Sequence, residues 1–149
     1  MINSLSFNSS FGWITIVEVN KKLLSVKFGK KKNLGKSKYL IKIKKQILDY
    51  FCGKIIKFNI LICIEGSFLQ KRIWSELQKI SYGRTKTYGE IAKKLKTSPR
   101  YVGKVCGQNN HLLIIPCHRV VRSDGTLGGF SGLGGICLKK KLIEMESNE

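Results

Sequence analysis

Hydrophobic residues outnumber polar ones in two neighbouring stretches near the start of the chain. Residues 13–19 and 23–28 are rich in β-branched and aromatic side chains, with a polar Asn-Lys-Lys interval between them. Runs of such residues are typical of strands, and a short polar interval is typical of a hairpin turn. Over residues 38–51 the apolar spacing changes to three and four, which predicts a helix that Gly53 ends. Residues 55–64 have the composition of a further strand, so this part of the chain predicts a small sheet with one helix.

The pattern in the second half of the chain is mostly helical. Ser67 is placed to cap one helix, and a short helix is expected over residues 87–95. Ser98 and Pro99 have the side chains of a helix cap and a first helical position, so a second helix begins there with Arg100 in its first turn. Two short helices joined by a tight turn are the pattern of a helix-turn-helix.

An apolar, strand-like run at residues 112–115 leads into Pro-Cys-His-Arg. A loop with six glycines in eleven positions follows, and a closing helix is predicted over residues 136–146. The expected fold class is therefore α/β, with an N-terminal sheet-plus-helix lobe over residues 1–65 and a mostly helical C-terminal domain over residues 66–149.

The charge of the chain is strongly positive: 28 Lys and Arg against 9 Asp and Glu give +19 over 149 residues. Such an excess attracts polyanions, of which nucleic acid is the most abundant in a cell. A proteome that places lysine wherever the surface tolerates it would produce the same excess, so charge alone favours DNA binding only weakly. The five cysteines form no C-x-x-C pair, no signal peptide is recognisable, and apolar runs are too short to span a bilayer. These features predict free thiols and a cytoplasmic location, or a nuclear one in a eukaryote.

Cys117 and the adjacent His118 suggest a nucleophile and its base, because a thiol needs a base or a positive neighbour to react at neutral pH. Neighbouring side chains on an extended segment point to opposite sides, so a local turn or a bridging water would be required. The alternative is a buried, inert cysteine beside an ordinary histidine. A metal site with His111 lacks a fourth ligand at a recognised spacing, so no metal is predicted.

The string Ile115-Pro116-Cys117-His118-Arg119-Val120 resembles the active-site motif of the O6-alkylguanine-DNA alkyltransferases. Further segments resemble that family in the same order, over about residues 67–147: Phe68 with Ile73-Trp74, Thr87-Tyr88, Ile91-Ala92, Arg100 to Gly103, Asn109, Gly128 to Gly132, and Leu142 to Glu146. The resemblance implies a ribonuclease H-like N-terminal lobe and a helix-turn-helix that lies in the DNA minor groove.

For the chemistry, the resemblance implies that Glu146 holds His118, which takes the proton of Cys117 through a water. The thiolate then attacks the alkyl group on O6 of guanine, with O4 of thymine as a second possible source. Because the thioether product does not regenerate the thiol, one molecule repairs one lesion, without a cofactor. Asn109 fixes the turn before the cysteine. The resemblance also assigns substrate contacts to Tyr88, Arg100, Val120, Phe130, Ser131 and Gly132, and DNA contacts to Arg100, Tyr101, Lys104 and Arg119.

Arg100 is expected to occupy the space that the flipped base leaves in a duplex bound by a single protein monomer. Phe130 stands where the family usually has tyrosine, which removes one hydroxyl from the expected pocket. Two other interpretations remain at this point. One is an alkyltransferase-like protein that binds the lesion without transfer; such relatives replace the cysteine that is present here. The other is a basic helix-turn-helix regulator, which usually has a dimer seam that this sequence lacks.

Overall fold

The computed structural model describes residues 1–130 and 135–147. The chain forms two compact units, and the first of them takes a short piece from the middle of the sequence. The division predicted from the sequence, at residue 65, did not include this second crossing of the chain into the first unit. The units comprise Met1–Ile64 with Asn110–Ile114, and Glu65–Asn109 with Ile115–Glu149.

The first unit is built on a three-stranded antiparallel sheet. Its strands are β1 (Ile2–Ser9), β2 (Gly12–Val19) and β3 (Lys22–Phe28), in the order β1-β2-β3. The helix α1 (Lys38–Phe51) buries a stripe of apolar residues at helical spacing, as predicted, and Gly53 follows it with a positive φ of 77°. Strand β1 was not predicted, because asparagine and serine alternate with its apolar residues and Phe7 is its one buried side chain.

Two predicted strands are wrong, and the reason lies at the outer edge of β3. Leu23 of β3 pairs with the chain around Ile62, and Val26 pairs with the chain around His111. Because two segments share one edge, each forms an isolated bridge rather than a ladder. Residues 55–64 are accordingly irregular, and so are residues 112–115, where Leu113 has a positive φ of 75° that interrupts an extended run.

The second unit is mostly helical. Its helices are α2 (Phe68–Gln78), α3 (Tyr88–Leu95), α4 (Pro99–Gly107) and α5 (Gly135–Ser147), and two short strands, β4 (Lys86–Thr87) and β5 (Val120–Val121), pair in parallel. The predicted caps are confirmed: Ser67 and Ser98 accept hydrogen bonds from backbone N–H groups of the first turns, and Pro99 is the first residue of α4.

A buried tryptophan joins helices α2 and α4. Trp74 of α2 is 5% exposed and donates its indole N–H to the carbonyl of Val105 in α4, at 3.1 Å. Residues 96–98 join α3 to α4, with Lys96 in the left-handed conformation that ends α3. Within the described residues no helix is long and apolar enough to cross a membrane.

Candidate active site

Cys117 lies at a turn that the flanking residues hold from both sides. Pro116 has φ −80° and ψ 67°, and the N–H of Cys117 donates to the carbonyl of Ile115 at 2.8 Å. This is an inverse γ-turn, and a single 3₁₀ turn, Cys117–Arg119, follows it. The buried amide of Asn109 donates to the same Ile115 carbonyl at 2.8 Å. The chain therefore has the local turn that Cys117 and its neighbour His118 need if their side chains are to act together.

The Cys117 side chain is only 4% exposed, and it lines a cavity of about 680 Å³. That volume is within the range of small-molecule sites. The wall comes from α3, α4, the cysteine turn and the glycine-rich loop. It is formed by Tyr88, Gly89, Pro99, Arg100, Gly103, Cys106, Gly107, Cys117, Arg122, Ser123, Asp124, Gly128, Gly129 and Phe130.

Behind the cysteine, three charged or titratable side chains form a buried cluster. His118 is 0% exposed, and its Nε2 lies 2.8 Å from Oε2 of Glu146 in α5. Arg119 donates from Nε to Oε1 and from Nη2 to Oε2 of the same carboxylate, both at 2.8 Å. Its Nη1 donates to the carbonyl of Ile80 at 2.7 Å. Glu146 thus accepts three hydrogen bonds, two of them from a bidentate guanidinium group.

The cluster fixes the tautomer of the histidine. A carboxylate only accepts hydrogen bonds, so Nε2 of His118 carries the proton that it donates to Glu146. In a neutral imidazole, Nδ1 then holds the lone pair. This Nδ1 is buried and has no hydrogen-bond partner among the described residues. Nδ1 of His118 therefore has a free lone pair and can act as a base, while Nε2 donates its proton to Glu146.

Burial is the largest influence on the pKa of Cys117 and on the pKa of His118. Burial raises the pKa of the Cys117 thiol, while the hydrogen bond with Asn109 and the positive charge of Lys139 act against that rise. Burial lowers the pKa of His118 below 6.5, although the hydrogen bond with Glu146 and its charge oppose this. At neutral pH the imidazole is therefore uncharged, which a general base must be.

Lys139 is a member of the site that the sequence analysis missed. Its side chain in α5 is 0% exposed, and Nζ lies 3.3 Å from the Tyr88 hydroxyl and 3.2 Å from the Gly129 carbonyl. Burial lowers the pKa of Lys139, and the charges of Cys117 and Cys106 oppose that. Lys139 lies seven residues before Glu146, which is two helical turns, so helical periodicity could have separated it from the two exposed lysines that follow it.

Tyr88, at the start of α3, is packed against backbone on two sides. A Cβ built on Gly128 would lie 2.9 Å from the Tyr88 hydroxyl, and one on Gly103 would lie 3.8 Å from Cε1 of the ring. Burial is the main reason that the pKa of Tyr88 is raised to about 12, so the hydroxyl stays protonated. The ring and the loop can approach this closely because glycine stands at both contact points.

We expect Gly128→Ala to impair the site without unfolding the second unit. The new methyl group would press on the Tyr88 hydroxyl, and the φ of 74° is strained for alanine. We expect about 1–3 kcal/mol of lost stability and a larger, about tenfold or greater, loss of the alkyl transfer that the sequence resemblance implies. Thermal unfolding and single-turnover transfer measure the two effects. Gly125→Ala is the matched control, because Gly125 also has a positive φ but no atom within 4 Å of its Cβ position; equal loss of transfer in both variants would contradict the importance of the close approach to Tyr88.

Four of the predicted site residues line the cavity, and two of these are Cys117 and Tyr88. Arg100 and Phe130 line it, and Lys104 is exposed one turn further along α4, beside a half-buried Tyr101. Val120 does not line it, because its side chain is fully buried in β5. The guanidinium group of Arg119, which was predicted to contact DNA, is buried and donates hydrogen bonds to Glu146 and to the Ile80 carbonyl. The predicted contacts of Ser131 and Gly132 lie outside the described residues.

His111 was considered as a metal ligand together with Cys117 and His118. Its Nε2 forms a hydrogen bond with the Leu23 carbonyl, and the described residues hold no metal-binding cluster.

The model of one protein family, the DNA-binding domain of 6-O-methylguanine DNA methyltransferase, matches residues 68–148, which is more than half of the chain. The chain belongs to the 6-O-methylguanine DNA methyltransferase family. Within it, the methylated-DNA–protein-cysteine methyltransferase of Sulfolobus acidocaldarius is 39% identical over 94% of this chain and 90% of its own length. That of Metallosphaera sedula is 37% identical over 99% of this chain and 95% of its own.

A solved structure of the methyltransferase family has the same fold. The crystal structure of Mycobacterium tuberculosis OGT in complex with DNA is 29% identical, covers 97% of this chain and 92% of its own, and superposes with a TM-score of 0.84. The predicted α/β class is thereby confirmed at the level of helices α1 to α5, in the described part of the chain, with a small sheet.

Proposed function

We propose that this protein repairs DNA by moving a methyl or other alkyl group from O6 of guanine onto its own Cys117, irreversibly and once per molecule. It acts as a methylated-DNA–protein-cysteine methyltransferase, the name that its relatives carry. The observation that carries the proposal is the arrangement of Cys117 and His118. The thiol of Cys117 is nearly buried, and Nε2 of the neutral His118 beside it is hydrogen-bonded to Glu146. The Nδ1 of His118 has no hydrogen-bond partner among the described residues. O4-alkylthymine is a second candidate substrate.

In the proposed reaction, Nδ1 of His118 accepts the Cys117 proton through one water. The sulfur then forms a bond to the alkyl carbon as the carbon–O6 bond breaks. Guanine leaves as its anion, with the electron pair of that bond, and is then protonated by water. The nearby cation of Lys139 favours the thiolate over the thiol. The product is a thioether, so no second step returns the thiol and no cofactor takes part. Asn109 holds the turn that aims the sulfur.

A second thiol lines the same cavity, and its environment argues against it as acceptor. Burial is the main reason that the pKa of Cys106 is raised to about 12, so it remains a thiol at neutral pH. Burial raises the pKa of Cys117 as well, but there a hydrogen bond with Asn109 acts against the rise, and none does so at Cys106 within residues 1–130 and 135–147. Cys117 is therefore the proposed acceptor, and Cys106 a wall of the pocket.

For the target base to reach Cys117, it must leave the duplex, at a cost of a few kcal/mol. We propose that α3 and α4 act as a helix-turn-helix in the minor groove, where readout is degenerate and suits a scanning protein. Arg100 lines the cavity at the first turn of α4, which supports a role in filling the gap that the flipped base leaves. Tyr88 and Phe130, on the wall, would contact the extruded base, and Ser131 and Gly132 would complete its pocket. Lys104 and Tyr101 would contact phosphates.

The remaining parts of the proposal concern the whole chain. The second unit, Glu65–Asn109 with Ile115–Glu149, is the proposed DNA-binding and transfer domain, and the first unit, Met1–Ile64 with Asn110–Ile114, is the proposed N-terminal lobe of the ribonuclease H-like type. The protein acts as a monomer in the cytoplasm, at the nucleoid, or in the nucleus of a eukaryote. The two sequence-based alternatives are not favoured, because the relatives that match nearly the whole chain are named as transferases and Cys117 is present.

Intact-protein mass spectrometry after incubation with a duplex containing one O6-methylguanine tests the proposal. We expect a gain of one methyl group that saturates at one per molecule, mapped by peptide sequencing to Cys117 and not Cys106. Cys117→Ala abolishes the gain, while Cys52→Ala, which removes an exposed thiol of the first unit, leaves it intact.

Two results would overturn the proposal. No mass gain together with tight, lesion-dependent binding would indicate a protein that recognises the lesion without transfer. No gain and no preference for the lesion would leave a basic DNA-binding domain.

A further inference from the structure

A segment rich in lysine lies between β3 and the middle of α1, in the first unit. Residues 30–45 contain eight lysines and no acidic residue in sixteen positions. We call these residues the lysine segment. The chemistry proposed for Cys117 makes no use of it, and neither do the helices α3 and α4.

The loop part of the lysine segment is held along the outer edge of β1. Leu34 exchanges two backbone hydrogen bonds with Ser4, at 2.8 and 3.1 Å. The N–H of Ser6 donates to Oδ1 of Asn33 at 2.8 Å, and the N–H of Lys31 donates to the Ser6 hydroxyl at 3.3 Å. The lysines of this loop are therefore presented from an anchored backbone, so less conformational entropy is lost when they bind a partner than in a free tail.

Some of the eight lysines already have neighbours. Lys45 forms an ion pair with Asp49 at 2.9 Å, Lys30 lies 4.5 Å from the centre of the Trp13 ring, and Lys44 is half-buried. The other five are exposed, and the structure pairs none of them with a carboxylate within residues 1–130 and 135–147: Lys31, Lys32, Lys36, Lys38 and Lys42.

We propose that the lysine segment binds the phosphate backbone of duplex DNA, as a binding surface additional to α3 and α4. Unpaired ammonium groups so close in sequence repel one another, and a polyanion relieves that repulsion while its condensed counterions are released. This inference rests on the proposed function only for the choice of DNA as the polyanion.

The buried face of α1 favours DNA over a membrane surface. A helix that binds a bilayer inserts its apolar face into the lipid. In α1 that face is used in the core of the first unit, where Leu40, Ile43 and Ile47 are at most 2% exposed. The exposed residues of α1 are three lysines and one apolar residue, Ile41, which is 61% exposed. A single apolar side chain among lysines fits a backbone of phosphates better than insertion into lipid.

The test compares two charge-matched variants of the full chain. The first carries Lys31→Gln, Lys32→Gln and Lys36→Gln. The control carries Lys22→Gln, Lys54→Gln and Lys57→Gln, three exposed lysines of the same unit outside the segment. Binding of both and of the wild type to an undamaged duplex is measured by fluorescence anisotropy over a range of salt concentrations.

We expect the slope of log affinity against log salt to become shallower by about 0.9 for each phosphate that a lysine no longer neutralises, so by roughly 2–3 for the segment variant. We expect its affinity near 0.1 M salt to fall about tenfold or more, and the control to stay close to the wild type. Equal changes in both variants would mean that only total charge matters and would overturn the proposal.

An unchanged slope for the segment variant, with loss of binding to phosphatidylserine vesicles, would also overturn it, in favour of a membrane surface. The methyl-transfer assay on the wild type is independent of these slopes. Failure of the proposed function and failure of this inference are therefore seen in different measurements.

Discussion

Glu146→Gln is expected to abolish alkyl transfer and to destabilise the second unit at once. Oε1 accepts from Nε of Arg119, and Oε2 accepts from both Nη2 of Arg119 and Nε2 of His118. Whichever oxygen the substitution turns into an NH₂ group would face a donor. We expect a loss of about 3–5 kcal/mol in the free energy of unfolding, because a buried guanidinium group is left with an incomplete partner.

The transfer rate of the same variant is expected to fall by about 10²–10⁴-fold, because the histidine loses the group that fixes its tautomer and orientation. Chemical denaturation and single-turnover transfer at a temperature where the variant is folded measure the two effects. Glu144→Gln is the matched control on the same helix: its carboxylate is exposed and 4.0 Å from Lys140, so less than about 0.5 kcal/mol is expected.

A double variant separates the catalytic from the structural role of Glu146. Replacing Arg119 by Met together with Glu146→Gln removes the unpaired cation, and we expect part of the lost stability to return. Transfer should stay lost, because the partner of His118 is still changed. If transfer returned in step with stability, Glu146 would matter only for folding.

Lys139→Met is expected to have the opposite signature, with stability kept and reactivity lost. Lys139 is buried, and the neighbours that the structure gives its Nζ are the Tyr88 hydroxyl and the Gly129 carbonyl. Replacing such a cation by an apolar side chain of similar length is neutral or stabilising. The same cation lowers the pKa of the Cys117 thiol, so its removal raises that pKa further and leaves less thiolate at neutral pH. We expect transfer to slow on the order of ten- to a hundredfold.

The pH dependence of iodoacetamide alkylation at Cys117 is the readout that a purely structural role would not move. We expect the Lys139→Met profile to shift to higher pH, and the transfer rate to recover partly as the pH rises. Lys140→Met is the matched control, since Lys140 is the exposed neighbour in α5. A profile that coincides with that of the wild type would mean that Lys139 only positions Tyr88 and the loop.

The sequence predicted those parts of the fold that depend on interactions between residues within about one helical turn. Ser67, Ser98 and Pro99 mark helix starts because a side-chain oxygen or a missing N–H acts within one turn. The residues around β3 behave differently. The composition of residues 55–64 is that of a strand, but strand formation depends on an open sheet edge, and that edge is shared with a segment about fifty residues away.

In the site, too, local features were predicted from the sequence and long-range contacts were not. The motif around Cys117 identified the nucleophile and its neighbour from a contiguous string. The ion pair of Arg119 was not predicted, because its partner Glu146 is 27 residues away in sequence and only tertiary structure brings them together. Lys139 was missed because it stands among other lysines, and composition does not distinguish a buried cation from two solvated ones.

The short piece of the first unit that comes from residues 110–114 constrains how the chain can be cut and when it can fold. Val26 donates its N–H to the Asn110 carbonyl and accepts from the N–H of Leu112. A fragment that ended near residue 65 would keep three strands and α1 but expose these groups on a bare sheet edge, which is a template for aggregation. On the ribosome, the first unit cannot close that edge until α2, α3 and α4 have been synthesised, so its completion is a late, long-range event in folding.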